Sequence, residues 1–173
     1  MIFMRHPVTE APEGMCYGRL DLGLGAGAPA QIAAACETYP RIERIVSSPA
    51  QRCAALAKAL AARDGAEIVY ESRLWEMDFG AWEGLFWSEI PRAQSDPWAA
   101  DYWNNAPPEG ESFADVHARV GAALASTPPD ALVVAHAGVI RAARMILENA
   151  TLDEIWADPI PFATPISFGR RAA

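Results

Sequence analysis

Lysine is the scarcest ionisable residue in this sequence. Lys58 is the single lysine among fourteen basic residues, and the net charge is -8. This acidic balance argues against a nucleic-acid partner, because a phosphate backbone requires a basic protein surface. The net charge does not exclude a small phosphorylated metabolite as a ligand, because such a ligand needs positive charge only in its binding site. An arginine fork suits such a phosphate group better than a lysine ammonium does.

Paired cysteines and long apolar runs are also missing. Cys16, Cys36 and Cys53 form no CxxC pair and no even framework. This usage is typical of a reduced cytoplasm and argues against a zinc knuckle, so we expect a cytoplasmic protein with no metal and no cofactor. No apolar run approaches membrane-spanning length, and the first residues lack the basic region of a signal peptide. We therefore expect no membrane association.

The length and composition of the chain are typical of a globular protein. A chain of 173 residues, 51% hydrophobic and 21% charged, predicts one compact domain over 1–173 with a sizeable core. A monomer and a homodimer are both compatible with this composition.

Short apolar runs alternate with helical segments along most of the chain. Strands are predicted at 2–4, 44–47, 67–70, 131–135 and 164–168. Helices are predicted at about 30–39, 48–63, 112–126 and 139–148, with one further turn at 153–157. Such an alternation builds βαβ units, so we expect an α/β fold with a parallel sheet covered by helices on both faces.

Local signals predict where two of these helices begin. Ser48 and Pro49 have the character of an N-cap and a first helical residue. Ser112 and Asp115 resemble a capping box, with aspartate in place of glutamate.

A tryptophan-rich segment at about 74–110 interrupts the alternation. It holds five of the six tryptophans, among prolines, acids and glycines, with short helices predicted at 88–93 and 97–103. Aromatic side chains serve equally well in an apolar cluster and in a lid that contacts an organic substrate. The sequence leaves these two interpretations open.

Reactive or phosphate-binding residues follow four of the predicted strands: Arg5 and His6, Ser47 and Ser48 with Arg52, Glu76, and His136. A parallel sheet brings the carboxyl ends of its strands to one edge, so we expect these side chains to converge. Pro7 disfavours the helical region for the residue before it, which keeps His6 extended. Arg52 lies in a first helical turn, where a cation opposes the helix dipole and a bound phosphate would relieve the conflict.

These residue types indicate phosphoryl transfer through a covalent intermediate. A neutral His6 imidazole can attack phosphorus without a separate base, provided its other nitrogen donates to a backbone carbonyl. Arg5, Arg52 and His136 can neutralise the non-bridging oxygens. Glu76, protonated at first, can protonate the departing alkoxide and later take a proton from water.

Two other interpretations of the histidines are open at this point. His6 could be a satisfied surface histidine beside an unrelated arginine. A metal site built from His6, His117 and His136 is disfavoured, because His117 lies within a predicted helix with no ligand-spaced carboxylate or cysteine.

Four blocks, in order along the chain, resemble the signatures of the histidine phosphatase superfamily, also called the phosphoglycerate mutase-like family. Residues 4–9 (MRHPVT) are similar to its RHGxT signature, and residues 47–54 (SSPAQRCA) to its second block, SSPxxRxxxTA. Residues 74–84 (LWEMDFGAWEG) look like its acid block, and residues 134–141 (VAHAGVIR) like its last. Each block alone is weak, but four in order are a strong signal.

The resemblance implies a three-layer α/β/α fold and roles for named residues. It implies that His6 becomes phosphorylated, that Arg5, Arg52 and His136 hold the phosphate, and that Glu76 is the proton donor. Further predicted substrate contacts are Thr9, Ala137 and Arg19, although a surface ion pair is an equal alternative for Arg19. Arg141 either faces solvent or supports the pocket.

Three departures from the signatures affect the first and last blocks. Pro7 replaces the usual glycine and removes an amide that could bond phosphate. Pro12 stands where an asparagine often follows, and Ala137 replaces a common glycine. The loop at 14–22 (GMCYGRLDL) and the tryptophan-rich acid block resemble the branch that contains α-ribazole phosphatase of the cobalamin pathway.

The predicted function is therefore metal-independent hydrolysis of a small organic phosphate, with α-ribazole 5'-phosphate as the substrate suggested by the loop. One alternative is phosphoglycerate mutase-type transfer, although such enzymes usually carry a longer insertion before the last histidine. Another is a phosphate- or protein-binding module that has lost catalysis.

Overall fold

The computed structural model describes residues 1–169 and is built on a five-stranded sheet. The strands are β1 (Ile2–Arg5), β2 (Arg44–Ser47), β3 (Glu67–Tyr70), β4 (Leu132–Ala135) and β5 (Pro165–Ser167). Their order is β3-β2-β4-β1-β5, with β5 antiparallel to β1 and the other neighbours parallel. The predicted, mostly parallel sheet is confirmed. The predicted domain extended to 173, and residues 170–173 lie outside the described part.

Helices cover both faces of this sheet. They are α1 (Ala28–Thr38), α2 (Gln51–Asp64), α3 (Arg92–Ala100), α4 (Phe113–Ser126), α5 (Ala137–Glu148) and α6 (Leu152–Ala157). Alternate strand residues enter different cores, since side chains of a strand point to opposite faces. Phe3 packs with α4 and α5, whereas Met4 packs with α1 and α2. The three-layer α/β/α arrangement is therefore confirmed, and no helix within residues 1–169 is long and apolar enough to cross a membrane.

One of the two predicted helix starts is wrong. Helix α2 begins at Gln51, with Ala50 as N-cap and no side-chain cap, so Pro49 precedes the helix. Ser48 is instead buried, with its hydroxyl 2.9 Å from a ring nitrogen of His136. A buried imidazole requires a hydrogen-bond partner, and this requirement outweighs the capping preference of serine.

The capping box at the start of α4 is confirmed. The Ser112 hydroxyl accepts from the Asp115 amide, and the Asp115 carboxylate accepts from the Ser112 amide.

The tryptophan-rich segment contains one helix where two were predicted. Short 3-10 turns at Ser72–Leu74 and Gly80–Trp82 lead to α3, which bridges the two predicted helices and includes Pro97. Trp98 from α3 packs edge-to-face on the buried Trp82, with ring centroids 5.5 Å apart. Packing of this kind overrides the helix-breaking tendency of a single proline.

Candidate active site

The sheet directs four of the predicted catalytic residues to one cavity of about 510 Å³. Arg5 and His6 come from the end of β1, Arg52 from the first turn of α2, and Glu76 from the segment after β3. Since all these segments follow the carboxyl ends of parallel strands, their convergence matches the expectation from the strand order.

His6 is buried and held as one tautomer. Its Nδ1 lies 2.7 Å from the Pro7 carbonyl oxygen, which can only accept, so Nδ1 carries the proton and Nε2 has the lone pair. Burial, followed by the charges of Arg52 and Arg5, lowers the pKa of His6 to about 3, although the bond to Pro7 opposes the shift. The imidazole is consequently neutral near pH 7, as a nucleophile requires.

Arg5 is fixed by the chain that follows α6. Its Nη1 donates to the Ile160 carbonyl at 3.0 Å, and its guanidinium lies 3.8 Å from the centre of the Phe162 ring. Burial lowers the pKa of Arg5. Its buried Nε finds no hydrogen-bond partner among residues 1–169.

Arg52 is fully buried and bonds the loop that precedes α1. Its Nη2 donates to the Gly18 carbonyl at 2.6 Å and its Nη1 to the Leu20 carbonyl at 3.1 Å, while Asp21 lies 3.6 Å from Nη1. The expected conflict with the dipole of α2 is therefore relieved by protein groups as well. From the sequence, a bound phosphate was expected to offset the unfavourable position of Arg52 near the N-terminus of α2. In the structure, protein groups already contribute to this effect.

His136 lies behind the cavity and does not line it. Its ring centroid is 5.2 Å from that of His6. Nδ1 accepts from Arg52 Nε at 3.3 Å, which leaves Nε2 to donate to Ser48 Oγ at 2.9 Å. Burial, with the nearby His6 and Arg52, holds the pKa of His136 well below its usual value. Contact between His136 and a phosphate would require one of these hydrogen bonds to be exchanged.

The Glu76 carboxylate accepts from two backbone amides. One is that of Met77 at 3.0 Å, and the other is that of Gly138 at 3.1 Å, in the first turn of α5. A Cβ atom at position 138 would lie 2.5 Å from Glu76 Oε1, so this approach requires glycine.

Arg119 holds the backbone around Glu76. Its guanidinium donates to the carbonyls of Trp75 at 2.6 Å and Glu76 at 3.1 Å, and it pairs with Glu111 at 2.7 Å. Burial alone would raise the pKa of Glu111, but the hydrogen bonds and charge of Arg119 lower it. This pair falls outside the four blocks, and no sequence signal pointed to it.

Glu83 lies within the acid block, but no sequence signal indicated its role. Its carboxylate accepts from four backbone amides, those of Gly18, Arg19, Leu20 and Phe79, at 2.9–3.0 Å. The same loop residues, Gly18 and Leu20, turn their carbonyls toward the Arg52 guanidinium. Glu83 thereby shapes the loop that holds Arg52.

The remaining predicted substrate contacts separate into two groups. Ala137 and Arg141 line the cavity from α5. Thr9 and Arg19 do not line it: the Thr9 hydroxyl donates to the Tyr17 hydroxyl at 3.1 Å, and Arg19 pairs with Glu111 at 3.4 Å. The ion pair foreseen as the alternative for Arg19 is therefore present.

His117 contacts an aromatic residue of the tryptophan-rich segment. Its ring packs on Trp103, with centroids 5.4 Å apart. Among the described residues, no three His, Cys, Asp or Glu side chains are grouped as metal ligands.

Comparison with known sequences places the chain in a family. The sequence model of the histidine phosphatase superfamily (branch 1) matches residues 1–168, and the chain belongs to this superfamily. A bifunctional protein of Mycobacterium tuberculosis is 38% identical over an alignment of 128 positions, which covers 69% of this chain and 35% of that protein. This chain thus spans about a third of the length of that relative.

Two further comparisons extend over most of the chain. Glucosyl-3-phosphoglycerate phosphatase of Mycolicibacterium vanbaalenii is 31% identical, covering 88% of this chain and 76% of that protein. The structure of α-ribazole phosphatase from Shigella flexneri matches with a TM-score of 0.84 at 20% identity, covering 95% of this chain and 87% of that one. The latter similarity shows a shared phosphoglycerate mutase-like fold.

Proposed function

We propose that this protein hydrolyses a small organic phosphomonoester through a phosphohistidine at His6, without a metal ion. His6 Nε2 attacks phosphorus, the P–O ester bond breaks, and the leaving alkoxide takes a proton from Glu76, which must enter the reaction as the neutral carboxylic acid. Water then attacks the phosphohistidine and gives a proton back to Glu76. Cleavage of the P–N bond releases inorganic phosphate and neutral His6.

The observation that carries this proposal is the state of His6. Its Nδ1 proton is committed to the Pro7 carbonyl at 2.7 Å, so the lone pair is on Nε2. Arg5, Arg52 and Glu76 line the same cavity as this imidazole. Guanidinium groups stabilise the charge on the non-bridging oxygens, and a carboxylic acid protonates the leaving group.

The substrate is the finer part of the proposal. The relative from Mycolicibacterium vanbaalenii is a glucosyl-3-phosphoglycerate phosphatase. The loop at 14–22 instead favours α-ribazole 5'-phosphate. A panel of phosphorylated metabolites should include both compounds, and the preferred substrate is the one with the highest kcat/KM.

The covalent intermediate is tested by replacing the nucleophile. The wild-type protein, freed of metal with a chelator, should hydrolyse a member of the panel, and rapid quenching should trap a phosphate on His6 that is detected by mass spectrometry. His6→Ala should lose at least about 10³-fold in kcat and show no trapped phosphate. Phosphorylation of another residue, or wild-type-like turnover by His6→Ala, would overturn the mechanism.

A stable phosphohistidine combined with isomerisation of 3-phosphoglycerate would instead establish a mutase. Absence of turnover on every compound at all pH values would favour a binding module.

A further inference from the structure

The cavity that holds the predicted catalytic groups has a second, aromatic part. Besides Tyr17, six aromatic residues line the cavity, and we call them the aromatic wall: Phe79, Trp87, Trp98, Tyr102, Phe113 and Trp156. The rings of Trp87 and Trp98 are nearly parallel, with centroids 5.7 Å apart and an interplanar angle of 23°. Tyr102 continues the wall, 6.2 Å from Trp98 and 5.8 Å from Trp156.

This wall is preformed by packing behind it. Trp82, buried with Cys16 and Ile90, contacts Trp87 and Trp98 edge-to-face from the protein side. Trp87 is nevertheless 39% exposed, so part of its surface is available to a ligand. The tryptophan-rich segment therefore contains both an apolar cluster and a cavity wall.

Polar groups are few at the wall, and several already have protein partners. Trp156 Nε1 donates to the Tyr102 hydroxyl at 2.5 Å. The Arg141 guanidinium lies 4.0 Å from the centre of the Trp156 ring, and its Nε donates to the Ile155 carbonyl. The buried Nε1 of Trp98 has no partner among residues 1–169 and could meet one hydroxyl group. A sugar or polyol carries several hydroxyl groups, and most of them would lose water here without a replacement, which is costly. A planar apolar ring carries no such cost and gains contact with the aromatic faces.

The cavity is large enough for such a group. Its volume of about 510 Å³ lies within the range of sites for drug-sized ligands, about 300–1,000 Å³. A phosphate group beside His6 occupies only a small part of this volume. The remainder is contiguous with the aromatic wall because the same cavity is lined by both sets of residues.

From these observations we infer that the leaving group of the substrate carries a planar aromatic ring, which binds against Trp87, Trp98 and Tyr102. This inference rests on the proposed phosphatase activity of the same cavity. It specifies a substrate class: a primary phosphate ester linked to an aromatic ring rather than to a sugar or an acid alone.

The test uses two esters with the same reacting group. 3-Phenylpropyl phosphate and propyl phosphate are both primary alkyl esters, so they differ in the ring and not in leaving-group chemistry. For the wild-type protein, kcat/KM should be about tenfold or more higher for the phenylpropyl ester, mainly through a lower KM. Trp98→Leu should reduce this ratio to about threefold or less.

Trp103→Leu is the matched control variant. Trp103 packs on Phe113 and His117 but does not line the cavity, so its replacement should preserve the ratio. A ratio near one in the wild type, or an equal loss of the ratio in both variants, would overturn the inference.

Binding of the corresponding phosphonates separates this inference from the proposed activity. Calorimetry should show that 3-phenylpropylphosphonate binds about tenfold tighter than propylphosphonate, whether or not either ester is hydrolysed. Tight binding without any hydrolysis would uphold the aromatic subsite and refute the phosphatase proposal. If both esters are hydrolysed with equal kcat/KM and both phosphonates bind equally well, the phosphatase proposal is upheld and the aromatic subsite is refuted.

Discussion

At the scale of single residues, backbone carbonyls and amides hold the side chains that we propose to be catalytic. The Pro7 carbonyl selects the tautomer of His6, and the Gly138 amide holds the Glu76 carboxylate. Pro7 cannot supply an amide donor, but its carbonyl is still available for this contact. The replacement of glycine in the first signature therefore leaves the orientation of the imidazole intact.

A single methyl group at Gly138 should disturb Glu76, the proposed proton donor. Gly138→Ala places a Cβ atom 2.5 Å from Glu76 Oε1 and displaces the carboxylate. We expect kcat on an alkyl phosphate to fall about tenfold or more. The loss on p-nitrophenyl phosphate should be smaller, because its leaving group needs little protonation. Steady-state rates on both substrates provide the measurement.

Gly121→Ala is the control for this experiment. A Cβ atom at position 121, within α4, would lie 3.7 Å from Ile146, an ordinary contact. Activity should be unchanged and stability should rise by about 0.5–1 kcal/mol, since alanine is the better helix former. Equal losses on the alkyl and aryl phosphates in Gly138→Ala would show that Glu76 acts in another way.

At the scale of elements, the strands and the helices flanking them could be predicted because each is a short, regular pattern. The alternation of β1, α1, β2 and α2 is visible as apolar runs separated by proline and glycine. Helix α3 could not be located in the same way, because its position depends on ring packing between Trp98 and Trp82. Ser48 was misplaced for a similar reason: its partner, His136, is 88 residues away.

The loop before α1 is the element on which Arg52 depends, and Glu83 organises that loop. Glu83→Gln removes the negative charge that accepts from four amides and places an amide donor against them. The free energy of unfolding should fall by about 1–3 kcal/mol, and affinity for inorganic phosphate should weaken as the carbonyls of Gly18 and Leu20 shift. Urea denaturation and phosphate inhibition measure the two effects.

Glu10→Gln is the matched comparison in the same loop. The Glu10 side chain accepts one exposed amide bond, from Gly23 at 2.9 Å, so its replacement should cost less than about 0.5 kcal/mol. Similar losses in the free energy of unfolding for Glu83→Gln and Glu10→Gln would contradict a special role for Glu83. Unchanged phosphate inhibition in a destabilised Glu83→Gln would confine that role to folding.

At the scale of the whole molecule, two buried neutral histidines make stability depend on pH. Burial is the main cause that lowers the pKa of His6 to about 3 and that of His136 well below 6.5. Between about pH 6.5 and these lower values the unfolded chain binds protons that the native state does not. The free energy of unfolding should therefore fall as pH falls, by up to about 1.4 kcal/mol per pH unit for each histidine.

This dependence should be measured between pH 6.5 and 5, before the carboxylates titrate. Glu111 and Asp115 have lowered pKa values, so their contribution to stability is lost only at more acidic pH. Urea denaturation of His6→Asn should show a shallower pH slope than the wild type. An identical slope in both proteins would mean that His6 accepts a proton in the native state.

The sequence predicts which residues share the candidate active site better than it predicts the contacts that each of them makes. Arg5, His6, Arg52 and Glu76 could be brought together from their positions after strands, because a parallel sheet has one carboxyl edge. Three other features could not be predicted in this way: the hydrogen bonds of His136, the support from Arg119 and the loop held by Glu83. Each of these depends on side-chain geometry between distant segments, for which short signatures carry no signal.

The clamp on Arg5 has a practical consequence for engineering. All four signature blocks end by Arg141, yet Ile160 and Phe162 hold the Arg5 guanidinium, and the Ala163 amide donates to the Arg5 carbonyl. A minimal fragment chosen from the signatures would retain each named side chain and lose the support of one cation. Grafting this chemistry onto another scaffold would therefore require transplanting the returning segment as well.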